Sequence, residues 1–566
     1  MKLGLNGIES GWRGKADQRF VKERMRADLR YPRKVVPQTG QFRKAQSGWP
    51  VGSATLAFAF ALLLCATQVS AFAQAGTPAA PQTGDKPASK PPAETHITPE
   101  QAKELFRSVD ELLKFASDET GLPIQHEVKR TLTTRPAVEK YLVEKFNDDQ
   151  DSKRMQRSEI VLKKFGLLDR DFNLKPFMLA LLKEQIAGYY DSKTKTVYLL
   201  DWIDPDTQKP VLAHELTHAL QDQHTDLEKW NDQTPADPSN NVNDDNDHLA
   251  KDEMDTARTA ALEGQAMAVF VDYSLKPTGR SIIKNPELLE QLENDMQSSD
   301  DSPVLARAPL LLSESLLFPY KDGLSFEQDV WMDKGRQAAF GGVLDRPPSS
   351  SWEVINPRSY EQAKQSPVLV LPDIHPILDK LYKPYDIGQV GQLDLRMMAQ
   401  IFGGESAAQQ LTPAWDGGIY WAGQKLSAKT AAEQASTSSV GLFYLSAWKN
   451  TMSAHAFARM YADELGRKYS GVKLVPASKT TSSGTVDEVV YTTNEGPVLI
   501  TVRGKFVFVS ESFDLPLAHK LADLLIDGQG TGEIRTAGLS IPDAGLSDSF
   551  VKFMHSCGMM RAAIVR

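Results

Sequence analysis

The chain has 566 residues, 41% hydrophobic and 24% charged, with 37 glycines and 33 prolines; this is ordinary globular usage and excludes collagen-like, wholly disordered and polytopic membrane proteins. The net charge of −9 is unevenly spread: residues 1–50 hold twelve basic and four acidic side chains, a net +8, so the remainder carries −17. A body this acidic repels phosphate backbones, and no nucleic acid is expected as a partner.

The basic head runs into an apolar stretch from Leu56 to Ala66 and then Ala71-Phe72-Ala73, the order of a secretory signal: positive region, apolar region, small-residue cleavage site. Residues 1–75 are therefore expected to be a basic n-region and signal peptide, and an internal start at Met25 would give it a more usual length. If retained, residues 51–73 are just long enough to anchor the chain in the cytoplasmic membrane. A periplasmic or secreted location follows. The two cysteines are Cys65 and Cys557, so the processed chain would keep one thiol and no internal disulfide.

Residues 76–96, rich in Pro, Ala and Thr, read as a linker that buries too little to fold. Thr98-Pro99-Glu100-Gln101 then predicts a helix start, followed by the periodic set Leu105, Val109, Leu112, Leu113 and Phe115. A strand is predicted over 127–133, helices over 137–146, 158–165 and 175–187, and a strand over 195–200 after Gly188-Tyr189-Tyr190-Asp191. The Asp- and Asn-rich run 232–255 reads as a solvated loop, since its acids lack calcium-loop spacing. Helical periodicity resumes over 254–273, and 301–435 reads as a mixed helical and loop extension. From Val440 a strand, a helix (454–469), four strands and a last helix (515–525) predict a smaller α+β unit over 436–566. The fold class is α+β, with the main unit over 97–300.

The chemistry concentrates in Val211-Leu212-Ala213-His214-Glu215-Leu216-Thr217-His218-Ala219-Leu220. On a helix, His214 and His218 lie about 40° apart and one turn along, so both rings reach one ion, while the leucines point to the opposite side. This predicts a metal-binding face on a water-accessible groove. Glu215, about 100° round the helix, suits a base that takes a proton from metal-bound water rather than a ligand. Zinc is the expected ion, because two imidazoles and a carboxylate leave a position open for water. The bland alternative is a surface helix with two incidental histidines.

Two residues compete as third ligand. His224 is ten residues after His214, but Gln221 stands where a chain leaving the helix would need Gly; on a continued helix His224 points about 80° away and lies roughly 9 Å from His218 along the axis. Glu263 is the single charge between Arg258 and Asp272 in an apolar helix, where a buried carboxylate requires a cationic partner. That lone charge in an apolar helix favours Glu263. Tyr189, Tyr190, Tyr320 and His375 are candidate oxyanion donors that spacing does not separate, and His248 and His455 read as packed or surface residues.

His214-Glu215-Leu216-Thr217-His218-Ala219-Leu220-Gln221-Asp222-Gln223-His224 with Leu262-Glu263-Gly264 resembles the gluzincin zinc metallopeptidases, closest to a poorly characterised group of bacterial and archaeal metalloproteases carrying HELTHALQDQH and a later EGDA. Gln185 to Asp191 fits that group as well. The resemblance covers about residues 100 to 275. It implies a zincin-like, mainly helical core with a small preceding sheet, His214, His218 and Glu263 as zinc ligands, Glu215 as general base, and a peptide or protein substrate. It also implies that the strand 196–200 pairs with extended substrate. Two departures stand out: Gln265 replaces the Asp of EGDA, removing a carboxylate that would orient a ligand histidine, and Asn356 replaces a His before Pro357. A catalytically inactive metal- or peptide-binding scaffold of the cell envelope is the alternative function.

Overall fold

In the computed structural model the described residues are 96–146, 149–185, 188–231, 238–289, 302–476 and 488–529. The expected signal peptide or anchor, the linker up to Glu94, Cys65 and Cys557 lie outside them. Helix α1 (Pro99–Thr120) starts where predicted: the Thr98 hydroxyl accepts from the Gln101 N–H and the Gln101 side chain accepts from the Thr98 N–H, satisfying two donors that the first turn leaves free. It ends at Gly121, whose left-handed φ of 76° suits glycine. Its buried stripe is Leu105, Val109, Leu112, Leu113 and Ala116.

Strand β1 (Lys129–Thr133) and helices α2 (Arg135–Phe146), α3 (Asp149–Phe165) and α4 (Leu174–Gln185) follow, then β2 (Tyr189–Asp191) and β3 (Thr196–Leu200). These strands form a sheet of order β1-β3-β2, with β3 parallel to β1 and antiparallel to β2. Both edges of β3 are therefore occupied. The expectation that 196–200 pairs with extended substrate is corrected: a strand bonded on both sides has no ladder to offer, and the edge near the histidine helix belongs to β2.

Helix α5 (Pro205–Thr225) carries the His-Glu-x-x-His segment. Asp204 caps it by accepting from the Asp206 and Thr207 N–H groups at 3.0 and 3.3 Å, with Pro205 at the first helical position. Buried Gln208 ties the start of α5 to β3, bonding the Leu200 N–H and the carbonyls of Leu200 and Ile203. After the short helix α6 (Leu227–Asn231) comes α7 (Val242–Lys251), in a run read as loop. Asn241 caps it, and Asp244 and Asp245 sit in its first turn, where carboxylates favour the positive end of the helix. Residues 232–237 of that run lie outside the described set.

Helix α8 (Met254–Leu275) is buried along most of its length and crosses α9 (Leu310–Lys334) at very close range. A Cβ on Gly264 would come within 2.1 Å of the Gly323 carbonyl oxygen, and one on Gly323 within 2.2 Å of that of Ala260. The small residues of α8 thus admit α9.

The second sheet has seven antiparallel strands in the order β4-β5-β6-β10-β9-β8-β7: β4 (Tyr382–Gln389), β5 (Trp415–Lys425), β6 (Val440–Trp448), β7 (Lys473–Val475), β8 (Glu488–Thr493), β9 (Gly496–Arg503) and β10 (Phe506–Glu511). Alternation splits its residues cleanly between faces. Ile419, Trp421, Phe443, Leu445 and Phe508 share a core with Leu517, Leu521 and Leu525 of the terminal helix Leu515–Asp527, while Tyr420 and Tyr444 turn the other way onto Phe165 of α3. Strands β4 and β5 arise from a stretch read as helix and loop. Lys164 of α3 is fully buried, donating to Glu495 and Ser512 at 2.8 and 2.6 Å, and burial lowers it to about 8. The architecture is mixed α+β, and no helix among the described residues is long and apolar enough to cross a membrane.

Candidate metal centre

Two helices supply the site. His214 and His218 project from one face of α5, and Glu263 comes from the middle of α8, packed beside it. His214 Nε2 lies 3.1 Å from Glu263 Oε2 and 3.1 Å from His218 Nε2, and His218 Nε2 lies 3.6 Å from the same carboxylate oxygen. Two ligands on a tetrahedral zinc, each at about 2.0–2.1 Å, are roughly 3.3 Å apart. The three separations bracket that spacing, so the side chains fit a shared ion as they stand. Among the described residues this is the group of three or more His, Cys, Asp or Glu able to hold one.

All three are buried: His214 is 2% exposed, His218 1% and Glu263 4%. Here the structure departs from the groove expected on helical phase. Residues 211–222 of α5 are buried all round, because α1, α8 and the small sheet enclose the helix that the leucine stripe alone would have left open on one side. Burial makes the electrostatics strong. It opposes charge on His218, but Glu263 beside it, aided by Glu215, raises the imidazole to about 9. Burial would likewise raise Glu263, yet the two imidazoles hold its carboxyl well below the usual carboxylate range.

Glu215 stays out of the ligand cluster. It is 5% exposed, and its Oε2 accepts from the backbone N–H of Tyr190 at 3.0 Å. That bond uses an N–H on the free edge of β2, so the strand fixes the acid. Gly188 lies against the same side chain: a Cβ there would meet Glu215 Cγ at 3.8 Å and Val211 Cγ1 at 3.1 Å.

The candidates for oxyanion donor separate in space. Tyr320 of α9 is buried with its ring 6.3 Å from that of His214 and inclined by 24°. Tyr189 stacks on Tyr198 at 4.4 Å. The Tyr190 hydroxyl donates to Asp222 at 2.6 Å, and burial together with that carboxylate pushes its phenol far up. His375 is held between Asp245 and Asp379, each at 3.2 Å, and His248 lies 3.7 Å from Asp252; His455 is half-buried on the helix Thr451–Asp463. His224 stays helical and turns to Asp345, 3.0 Å away, as the missing glycine foretold. Asn356 donates to Trp352 O and Gln392 Oε1.

Sequence reasoning named Gln221 and Gln265 as departures from a pattern and missed what each of them bonds. His218 Nδ1 lies 2.8 Å from Gln221 Oε1; Gln221 Nε2 donates to Leu262 O at 3.0 Å and Gln265 Oε1 at 2.9 Å; Gln265 Nε2 donates to the carbonyls of Ala339 and Phe340 at 2.9 and 3.0 Å. The absent carboxylate at position 265 is thus replaced by a chain of two amides. The signal was Gln221 at i+3 from His218, legible only once α8 is known to lie alongside. Against known proteins, no family model, no curated protein and no solved structure matches this chain.

Proposed function

We propose that the chain is an exported zinc-dependent peptidase of zincin-like, gluzincin type, with His214, His218 and Glu263 as ligands, Glu215 as general base and a peptide or protein as substrate. One observation carries the proposal: three donor atoms converge at zinc spacing while a second buried acid, Glu215, is held apart from them by a backbone N–H. Structural zinc sites close with four protein ligands, whereas three ligands and an uncoordinated carboxylate are the set that hydrolysis uses. Zinc in such a site supplies a water acidic enough to attack a peptide carbonyl at neutral pH. The residues then have separate tasks. Glu215, oriented by the Tyr190 N–H, accepts the proton of the attacking water and returns it to the leaving amine. Tyr320 is the phenol beside His214 and the candidate donor to the developing oxyanion.

Export rests on the basic, apolar and small-residue order of residues 1–75. The deep burial of the ligands favours a second reading, a closed metal-binding scaffold with no turnover. Metal analysis and peptide hydrolysis of the wild type and Glu215→Gln decide between them: zinc near one per chain in both proteins, with cleavage in the wild type alone, supports the peptidase. Zinc without cleavage in either leaves the scaffold, and no zinc in the wild type removes both.

A further inference from the structure

Carbonyl oxygens accept hydrogen bonds and never donate, so two backbone carbonyls facing one end of a glutamine amide identify that end as the NH2. At Gln265 these are Ala339 O and Phe340 O, both in the π-helical turn Ala338–Gly342. The Gln265 oxygen must then face Gln221. At Gln221 a separate carbonyl, Leu262 O, makes the same assignment: its NH2 points to Leu262 and Gln265, and its oxygen to His218. Both glutamines are fully buried, so no water competes, and reversing either amide would set oxygen against oxygen and leave buried groups unpaired. An acceptor at 2.8 Å from His218 Nδ1 requires a proton on that nitrogen, and in the neutral ring the lone pair then sits on Nε2. His214 has no such partner, its Nδ1 being buried without a hydrogen bond.

We propose that Gln221 and Gln265 are positioning residues, a two-amide relay that runs from the π-turn carbonyls to His218 and fixes the ring as the Nδ1–H tautomer, with Nε2 aimed at the ion. The inference rests on the metal-centre reading and adds to it a device that lies outside the His-Glu-x-x-His segment proper. The π turn is part of the device, since wide turns of this kind re-aim backbone carbonyls. His224 bonded to Asp345 and the Trp230 indole N–H donating to Leu344 O brace the segment that follows it.

The test uses the full chain with 15N-labelled histidine. In metal-free protein in alkaline solution, where the ring is neutral, nitrogen shifts are expected to show His218 as Nδ1–H. Gln221→Met should release it to a mixture or to Nε2–H and weaken zinc binding about 10- to 100-fold, the usual range for loss of an outer partner. Gln265→Met should act in the same direction but less. An Nε2–H ring in the wild type would overturn the relay without any variant, so a misfolded Gln221→Met leaves it testable. So would Gln221→Met with an unchanged tautomer and zinc affinity within twofold of wild type. If the wild type takes up no zinc but its Nδ1–H form is lost in Gln221→Met, the relay stands and the metal-centre reading falls.

Discussion

Glu253 and Glu263 are ten residues apart, one just before α8 and one in its middle, and each is 4% exposed. They ionise in opposite senses. Glu263 meets two imidazoles and is held low, whereas Glu253 meets the Ser351 hydroxyl, Asp252 and Glu353, and lies near Asp394 among like-charged carboxyls; burial pushes it up to about 7. Its Oε2 has no hydrogen-bond partner, and Asp394 is driven well above the carboxylate range by burial and by Glu253. Equal burial thus gives a fixed anion at one position and, at the other, an acid that holds its proton far above the usual carboxylate range. The partner, not the depth, decides the charge.

The sharpest break of this contrast is to neutralise each acid in turn. Glu263→Gln removes a ligand and the counter-charge of two buried rings, so zinc content should fall from about one per chain to near none, a loss larger than the 10- to 100-fold expected for an outer partner. Glu253→Gln should leave zinc content unchanged, as measured by metal analysis of the two proteins side by side. Next in size is Glu215→Gln, which removes no ligand and leaves the main counter-charge, Glu263, in place: zinc is expected to stay while peptide hydrolysis falls by about 10²–10⁴. If zinc were lost as well, Glu215 would belong to the ligand set.

A smaller effect is set by pH. Glu253 binds its proton more tightly in the folded chain, at about 7, than at the ordinary value of 4.5. Stability is therefore highest below that ordinary value, falls as pH rises through the window between the two, and levels off above 7. At 1.36 kcal/mol per unit the decline is about 3 kcal/mol. Glu253→Gln removes the titration and keeps a group able to bond Ser351. Urea melts should show it more stable than wild type at pH 8 and equal at pH 4. A variant that lost stability equally at both would show that the carboxyl matters through its hydrogen bonds alone.

What could be read in advance follows the same division between local and distant causes. His214 and His218 were legible because helical phase is local, and Glu263 because a lone charge in an apolar helix demands a partner. Gln221 and Gln265 were not, since their roles depend on carbonyls brought in by α8 and the 338–342 turn. Helix α7 was hidden by its composition: Asn and Asp signal loops, yet at a cap and first turn they stabilise a helix. Strand β5 was hidden by its glycines. Gly423 lies under the Trp421 ring, where a Cβ would come within 2.3 Å of it, so a residue type that argues against a strand is required here by aromatic packing.

The least effect is expected at His224, the residue with the most suggestive spacing after His218. Helix α5 continues to Thr225, and the ring is spent on Asp345, an aspartate 71% exposed, at 3.0 Å. An ion pair that open to solvent contributes about 0–1 kcal/mol. His224→Ala should therefore lower stability by no more than that and leave zinc affinity within twofold, because the ligand triad and the amides behind it do not pass through this ring. Metal titration of the variant checks both the ligand choice and the separation of bracing from positioning. A loss of zinc comparable to that in Glu263→Gln would move the third ligand from α8 to the end of α5, and with it the basis for treating Glu263 as the anion that the two imidazoles hold.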